Sequence, residues 1–422
     1  MDTRRLSVHE GPPLGSVLSA FLIAPWFLAA AGLVLLRGGS WALTNRYTPS
    51  VLAATHLVTI GFLMMTASAA VFQLLPVLSG HSVRGLSLVA PLVQGGFGLG
   101  ALVLAAAFLG HRLSLFMGAV ILLGCATGAF LLPTAMALWS PTQHKTILLM
   151  RYALIALAAA LILGLAMAIS FGRAHAPASF LSLAHPVWAF TGCFILWVGV
   201  AWQVLPMFQG VRPWHHRVGT WVAPALIGLA VGLSWGLKAA APGGLVRALL
   251  LAIAGIVGLS AAFILRRLWS RGRLRRDAMT YFWYLALTSL IAACSIAALL
   301  GLGYAQSPRW PLVFGVLALL GAAASFIDGM LYKIVPFLIW MALQRHPGRT
   351  SLLMQGIISG RRMMIHFVVH LLALVVLLIA IFWRPLAPLA AVFWTAAGAG
   401  LGLNLALAAL SYRRALRPLA SV

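Results

Sequence analysis

Long apolar runs, separated by short polar or basic connections, follow one another along the whole chain. A helix needs about 20 apolar residues to cross a bilayer, and twelve runs approach or exceed that length. The tenth run is longer, which indicates an extension at the membrane interface. The pattern therefore predicts an all-α integral membrane protein without a separable soluble domain. The predicted spans are residues 16–36, 51–78, 86–110, 113–137, 146–171, 183–207, 218–240, 245–267, 277–303, 310–342, 363–383 and 387–411.

A short motif recurs near the ends of spans two, six and ten. It reads FQLLPV at 72–77, WQVLPM at 202–207 and YKIVPF at 332–337, so the interval between successive copies is the same. The shared pattern is an aromatic residue, then Gln or Lys, two aliphatic residues and Pro. Equal spacing predicts a unit of four helices used three times around a pseudo-threefold axis. The prolines should end or kink their helices and free backbone carbonyls; they are Pro76, Pro206 and Pro336.

The chain is interpreted as one transmembrane domain, residues 1–422, made of three repeat units. The units comprise approximately residues 1–80 together with 363–422, residues 81–210, and residues 211–342. Because four helices are an even number, all three motif helices should run in the same direction across the membrane.

Composition and charge narrow the class of protein. With 63% hydrophobic and 8% charged residues, the chain is not an ordinary soluble protein. The net charge of +25 arises from basic residues in loops, so it indicates membrane topology and headgroup contact, with no nucleic-acid partner. Of 29 lysines and arginines, twenty fall on the side of both termini, eight fall on the other side, and Lys333 lies within a span. The positive-inside rule then places both termini in the cytoplasm of a bacterial inner-membrane protein.

Few ionisable residues lie within the spans. Asp328 is the only acidic residue well inside an apolar run, and a charge there is costly and normally partnered. It is interpreted either as a proton or cation site or as a packing device. Lys333, further along the same span, falls on another face, so the partners of both should lie on other helices. Gln73, Gln203 and Lys333 share one repeat position and are predicted to meet near the central axis as a polar core.

Histidines supply the candidate ligands. His56 and His185 begin spans two and six at similar depth near the outer surface, where neutral imidazoles can ligate haem or copper. His366 and His370 are one turn apart on span eleven and indicate either a soft-metal or haem site or polar packing.

Together, these features resemble the catalytic subunit of haem–copper oxidases and nitric oxide reductases, including a bacterial family of haem–copper membrane proteins linked to nitric-oxide response. By that resemblance, His56 matches the span-two haem ligand. The oxidase His-Pro-Glu-Val-Tyr sequence of span six corresponds to His185-Pro186-Val187-Trp188-Ala189. The resemblance covers the whole chain in topology and a few residues in motif.

Departures from the oxidase pattern limit the expected activity. Val187 and Ala189 replace the oxidase Glu and Tyr, and Gly315 and Val316 occupy the places where the repeat would put a span-ten histidine. The span-ten haem ligands and the proton-channel carboxylates are missing. We therefore expect no oxygen reduction coupled to proton pumping.

Two functions follow from these observations. The first is a protein that binds haem b, copper or both, and serves electron transfer, cofactor handling or nitric-oxide metabolism. Its expected partners are the lipid bilayer, a cytochrome or cupredoxin electron carrier, or other membrane subunits. The alternative is a cofactor-free transporter or an accessory subunit of a membrane complex, in which the polar core and Asp328 line a pathway.

Overall fold

The computed structural model of the protein describes residues 13–140, 145–212, 217–271, 277–345 and 353–416. Twelve helices in these segments are long and apolar enough to cross a membrane, which confirms the predicted twelve-helix membrane protein. We number them α1 to α12 in chain order. They are Leu14–Trp41, Pro49–Ser79, Leu86–Gly110, Leu113–Leu138, Lys145–Gly172, Leu181–Gln209, Thr220–Lys238, Gly243–Trp269, Ala278–Leu302, Arg309–Gln344, Gly360–Phe382 and Arg384–Leu416.

The helices pack as a closed ring. Each helix contacts the next one along the chain, and α12 packs against α1 along much of its length. Further contacts join helices that are not neighbours in the ring: α10 touches α1, α2 and α12, and aromatic pairs such as Trp197 with Phe326 join α6 to α10. The helices that carry the repeated motif are therefore linked to one another as well as to their neighbours in sequence.

Burial differs strongly between helices. In α2 and α10, 67% of the most apolar stretch is buried inside the protein, and in α6 the share is 61%. In α8 it is only 11%. Because lipid is as apolar as leucine, hydropathy alone does not distinguish an enclosed helix from a peripheral one. The three motif helices, together with α1, are the most enclosed. Such burial is required if the three motif helices lie at the centre of the bundle. The pseudo-threefold axis itself stays a prediction.

Two stretches of π-helix interrupt the motif helices. They are Leu57–Met64 in α2 and Leu317–Ala324 in α10, and their separation along the chain is twice the repeat interval. The two stretches contact each other. The matching residues of α6, 187–194, follow Pro186 and are α-helical. A rare backbone feature at equivalent positions supports the sequence repeat.

The motif prolines do not end their helices. Pro76, Pro206 and Pro336 all lie inside continuous helix, and α10 continues beyond its proline to Gln344. Of the two predicted effects, termination at the proline itself is not observed, although α2 and α6 end within a turn of it, at Ser79 and Gln209. A proline removes one backbone donor, and in a membrane bundle the neighbouring groups can compensate for that loss without ending the helix.

Candidate metal site

Three metal-ligand side chains meet between α10 and α11. Asp328 lies midway along α10, and His366 and His370 lie one turn apart on α11. Asp328 and His370 are fully buried, and His366 is 3% exposed. One ligand atom from each residue lies within 4.8 Å of the other two. The ionisable neighbours of Asp328 thus lie on another helix.

The distances within the cluster suit a single ion. Asp328 Oδ2 is 3.0 Å from His370 Nδ1 and 3.7 Å from His366 Nε2. Ligand atoms about 2.1 Å from a tetrahedral metal ion are about 3.4 Å from each other. The observed separations lie on either side of this value. Two imidazoles and a carboxylate are also ligands that zinc, iron and other first-row divalent ions accept.

The carboxylate of Asp328 lacks hydrogen-bond donors. Neither of its oxygens, nor Nδ1 of His370, forms a hydrogen bond with a residue that the structure describes. The 3.0 Å contact between Asp328 and His370 is therefore a close approach without hydrogen-bond geometry. A buried carboxylate is costly unless a proton, a cation or good donors compensate it. The cluster thus has the electrostatics of a cation site.

Aromatic rings enclose the cluster. The ring of Phe282 in α9 lies 5.3 Å from His366 and 5.5 Å from His370, and Tyr332 lies 5.6 Å from His366. The Tyr332 hydroxyl accepts a hydrogen bond of 2.8 Å from Asn404 Nδ2 in α12. These groups separate the ligand atoms from lipid and water, so electrostatic interactions inside are strong.

His56 and His185 each have one ring nitrogen close to a backbone carbonyl. His56 Nδ1 lies 2.7 Å from the Leu52 carbonyl, and His185 Nδ1 lies 2.9 Å from the Ala160 carbonyl. Since a carbonyl only accepts, each Nδ1 donates and each Nε2 keeps its lone pair. Metal-binding histidines have this arrangement.

Protein atoms occupy the space beside both outer histidines. The ring of Phe108 lies 5.2 Å from the ring of His56. The backbone of Gly164 in α5 approaches His185 so closely that a Cβ there would lie 2.9 Å from the ring. Both imidazole rings are therefore packed closely against protein atoms.

The predicted polar core has a different arrangement. Lys333 forms an ion pair with Asp277 at the start of α9, with 2.6 Å between Nζ and Oδ2. The side chains of Gln73 and Gln203 form no hydrogen bond with each other, with Lys333 or with any other described residue. Lys333 therefore has its partner on another helix, as predicted, and that partner is an acid.

Asp277 belongs to a network at the ends of several helices. Its Oδ1 accepts hydrogen bonds from the backbone and hydroxyl of Thr280, and Arg271 binds Thr280 and Gln209, the last residue of α6. Burial raises the pKa of Asp277, but Lys333 and Thr280 outweigh this effect and hold it below its usual value of 3.8. This network joins α6, α9 and α10.

In the sequence, Asp328 and the α11 histidines are separate features. Asp328 lies near the middle of α10, and His370 lies in the first half of α11. Ser325 and Asn404 were not identified from the sequence, because they carry no signal beyond being polar within apolar runs.

Both chain termini, and the histidine pair at 215–216, lie outside the described residues.

Comparison with known proteins gives no family for the chain: no protein-family model matches it, and no curated protein matches it significantly. Its function must therefore be inferred from the site.

Proposed function

We propose that the protein is an integral membrane metalloprotein that binds one divalent transition-metal ion at Asp328, His366 and His370. The observation that carries this proposal is the unsatisfied Asp328 carboxylate, fully buried and facing two imidazole nitrogens. A divalent ion would neutralise the carboxylate and use both lone pairs. The three protein ligands leave coordination positions for a small ligand.

In this proposal, the protein serves electron transfer or cofactor handling in the bacterial cytoplasmic membrane, with both termini in the cytoplasm. A bound transition metal would supply redox or Lewis-acid chemistry. Asp328 and the two histidines hold the ion, and Phe282 and Tyr332 exclude water. The electron partner would be a cytochrome or cupredoxin.

The outer pair, His56 and His185, extends the proposal to a second cofactor. Both residues present Nε2 with Nδ1 fixed by a backbone carbonyl, which suits copper and would also suit haem b as an axial ligand.

Metal analysis of the purified protein tests the proposal. Cells would be grown with added zinc, iron, manganese or copper, and the metal bound per chain measured by mass spectrometry. We expect one ion per chain that is lost in Asp328→Asn and His370→Gln. A further copper ion or a Soret band should be lost in His56→Ala. The control is His81→Gln, an exposed histidine outside both candidate sites. A metal-free, colourless wild type would contradict the proposal.

The alternative function is a cofactor-free transporter or an accessory subunit. The observation that favours a transporter is the same uncompensated carboxylate, since Asp328 can take up a proton as well as a metal ion. Proteoliposomes loaded with a pH-sensitive dye separate the functions. Proton or cation flux that disappears in Asp328→Asn, from protein that contains no metal, would support the transporter.

A further inference from the structure

The irregular part of α10 lies directly against the metal site. Leu317–Ala324 is π-helical, and Ser325 is the first residue of the α-helix that follows. In π-helix each backbone N–H bonds to the carbonyl five residues earlier, so a change between the two helix types alters which carbonyls are available to side chains. Leu320 lies within the π stretch, and its carbonyl is reached by two side chains, those of Ser325 and His370.

The contacts of His370 identify which ring nitrogen carries the proton. Its Nε2 lies 2.9 Å from Ser325 Oγ and 3.2 Å from the Leu320 carbonyl oxygen. The Ser325 hydroxyl also lies 3.2 Å from that carbonyl and donates to it. The carbonyl only accepts, and the serine oxygen accepts once its hydrogen is committed. Both contacts therefore require the hydrogen of His370 to be on Nε2.

The opposite nitrogen then faces the carboxylate. With hydrogen on Nε2, Nδ1 of the neutral imidazole has a lone pair, and it lies 3.0 Å from Asp328 Oδ2. Two acceptors at this distance repel each other unless a cation lies between them. The hydrogen bonds made at Nε2 thus leave the Nδ1 lone pair available to a metal ion. Metal-binding histidines commonly have such a hydrogen-bond partner on their other ring nitrogen.

We propose that Ser325, acting with the carbonyl of Leu320 in the π stretch, is the positioning residue that holds His370 in the Nε2–H tautomer. The consequence for metal affinity rests on the proposed function, whereas the tautomer itself does not. Ser325 is fully buried and lies one turn before Asp328 on the same helix. One turn of α10 thereby supplies both a ligand and the group that orients a second ligand.

The tautomer can be measured without any metal. Solid-state nuclear magnetic resonance of apo protein labelled with ¹⁵N-histidine distinguishes protonated from unprotonated ring nitrogens, and the His370 signals are identified by their loss in His370→Gln. In the wild type we expect Nε2 protonated and Nδ1 unprotonated. In Ser325→Ala the Nε2 signal should shift, and part of the population should carry hydrogen on Nδ1. Ser325→Thr should restore the wild-type signals because it keeps the hydroxyl.

The matched control is Ser289→Ala. Ser289 is buried and lies against Gly321 of the same π stretch, but it is not one of the hydrogen-bond partners of His370. Its replacement should leave the His370 signals unchanged. If Ser325→Ala does not fold, Ser325→Cys offers a weaker acceptor of similar size for the same measurement.

Metal titration of the same proteins completes the test. We expect Ser325→Ala to weaken binding of zinc about tenfold, and Ser325→Thr to bind as the wild type does. Unchanged His370 signals in Ser325→Ala, or a wild-type ring with hydrogen on both nitrogens, would overturn the inference. If the tautomer responds as expected while no variant or wild type binds metal, the positioning role stands and the proposed function fails.

Discussion

Asp277 and Asp328 are two carboxylates in one chain, and their surroundings are opposite. Asp277 lies at the start of α9, is 33% exposed, and is bound by Lys333 and by Thr280. Asp328 lies midway along α10, is fully buried, and receives no hydrogen bond from the described residues. The first carboxylate is therefore satisfied by the protein, whereas the second has no hydrogen-bond donor among the described residues. Hydrogen-bond partners thus distinguish the two acids better than charge or burial alone.

The largest expected effect is the loss of metal affinity when Asp328 is replaced. Asp328→Asn removes the anionic ligand but keeps the size of the side chain. We therefore expect zinc affinity to fall by at least about 100-fold, more than the loss typical when a partner behind a ligand is removed. Isothermal titration calorimetry of the purified protein measures it. Asp277→Asn is the matched control and should bind metal as the wild type does. Equal losses in the two variants would remove the distinction between the acids.

The next effect concerns the ion pair of Asp277 and Lys333. Asp277→Asn or Lys333→Met should lower the free energy of unfolding by roughly 1–3 kcal/mol, between the values for exposed and buried pairs. Unfolding in detergent measures this change. In the double variant the losses should not add, because each single change already breaks the pair. Fully additive losses would show that the two side chains stabilise the protein independently.

The pH dependence of stability tests the contacts of Asp277 in another way. The pKa of Asp277 is held below 3.8 by Lys333 and Thr280 despite burial. Its contribution to stability is therefore complete above its unfolded pKa and is lost as pH falls through the lowered folded value. Melting temperatures between about pH 2 and pH 6 should fall less steeply in Asp277→Asn than in the wild type. Identical slopes would contradict the assignment of the shift to these contacts.

The smallest effect is expected at Gln73. It has no hydrogen-bond partner among the described residues, so Gln73→Leu should change the free energy of unfolding by no more than about 0.6 kcal/mol. Gln94 is the contrasting control, since it accepts from Ser19 at 2.7 Å and donates to the Ser16 carbonyl at 2.6 Å. Gln94→Leu should cost roughly 1–3 kcal/mol because it leaves buried groups unpaired. A larger loss at Gln73 than at Gln94 would be inconsistent with these contacts.

The sequence alone determined the architecture. Apolar runs of spanning length predict twelve membrane helices because a bilayer accepts a backbone only when its hydrogen bonds are satisfied within the helix. The equal interval of the proline motif singled out spans two, six and ten, and these helices are among the most enclosed in the structure. The sequence also predicted that Asp328 and Lys333 have separate partners, because their spacing on an α-helix turns the two side chains to different faces.

Tertiary structure decided which residues meet. Hydropathy does not specify the rotation of α11 about its axis, since lipid and protein interior are equally apolar, and that rotation turns His366 and His370 towards Asp328. The π stretches were also invisible in the sequence, because Leu317–Ala324 has an ordinary apolar composition. Only the packed bundle shows that this stretch presents the Leu320 carbonyl to His370. The candidate ligands were visible in the sequence, but the contacts that bring them into one cluster depend on how the helices pack.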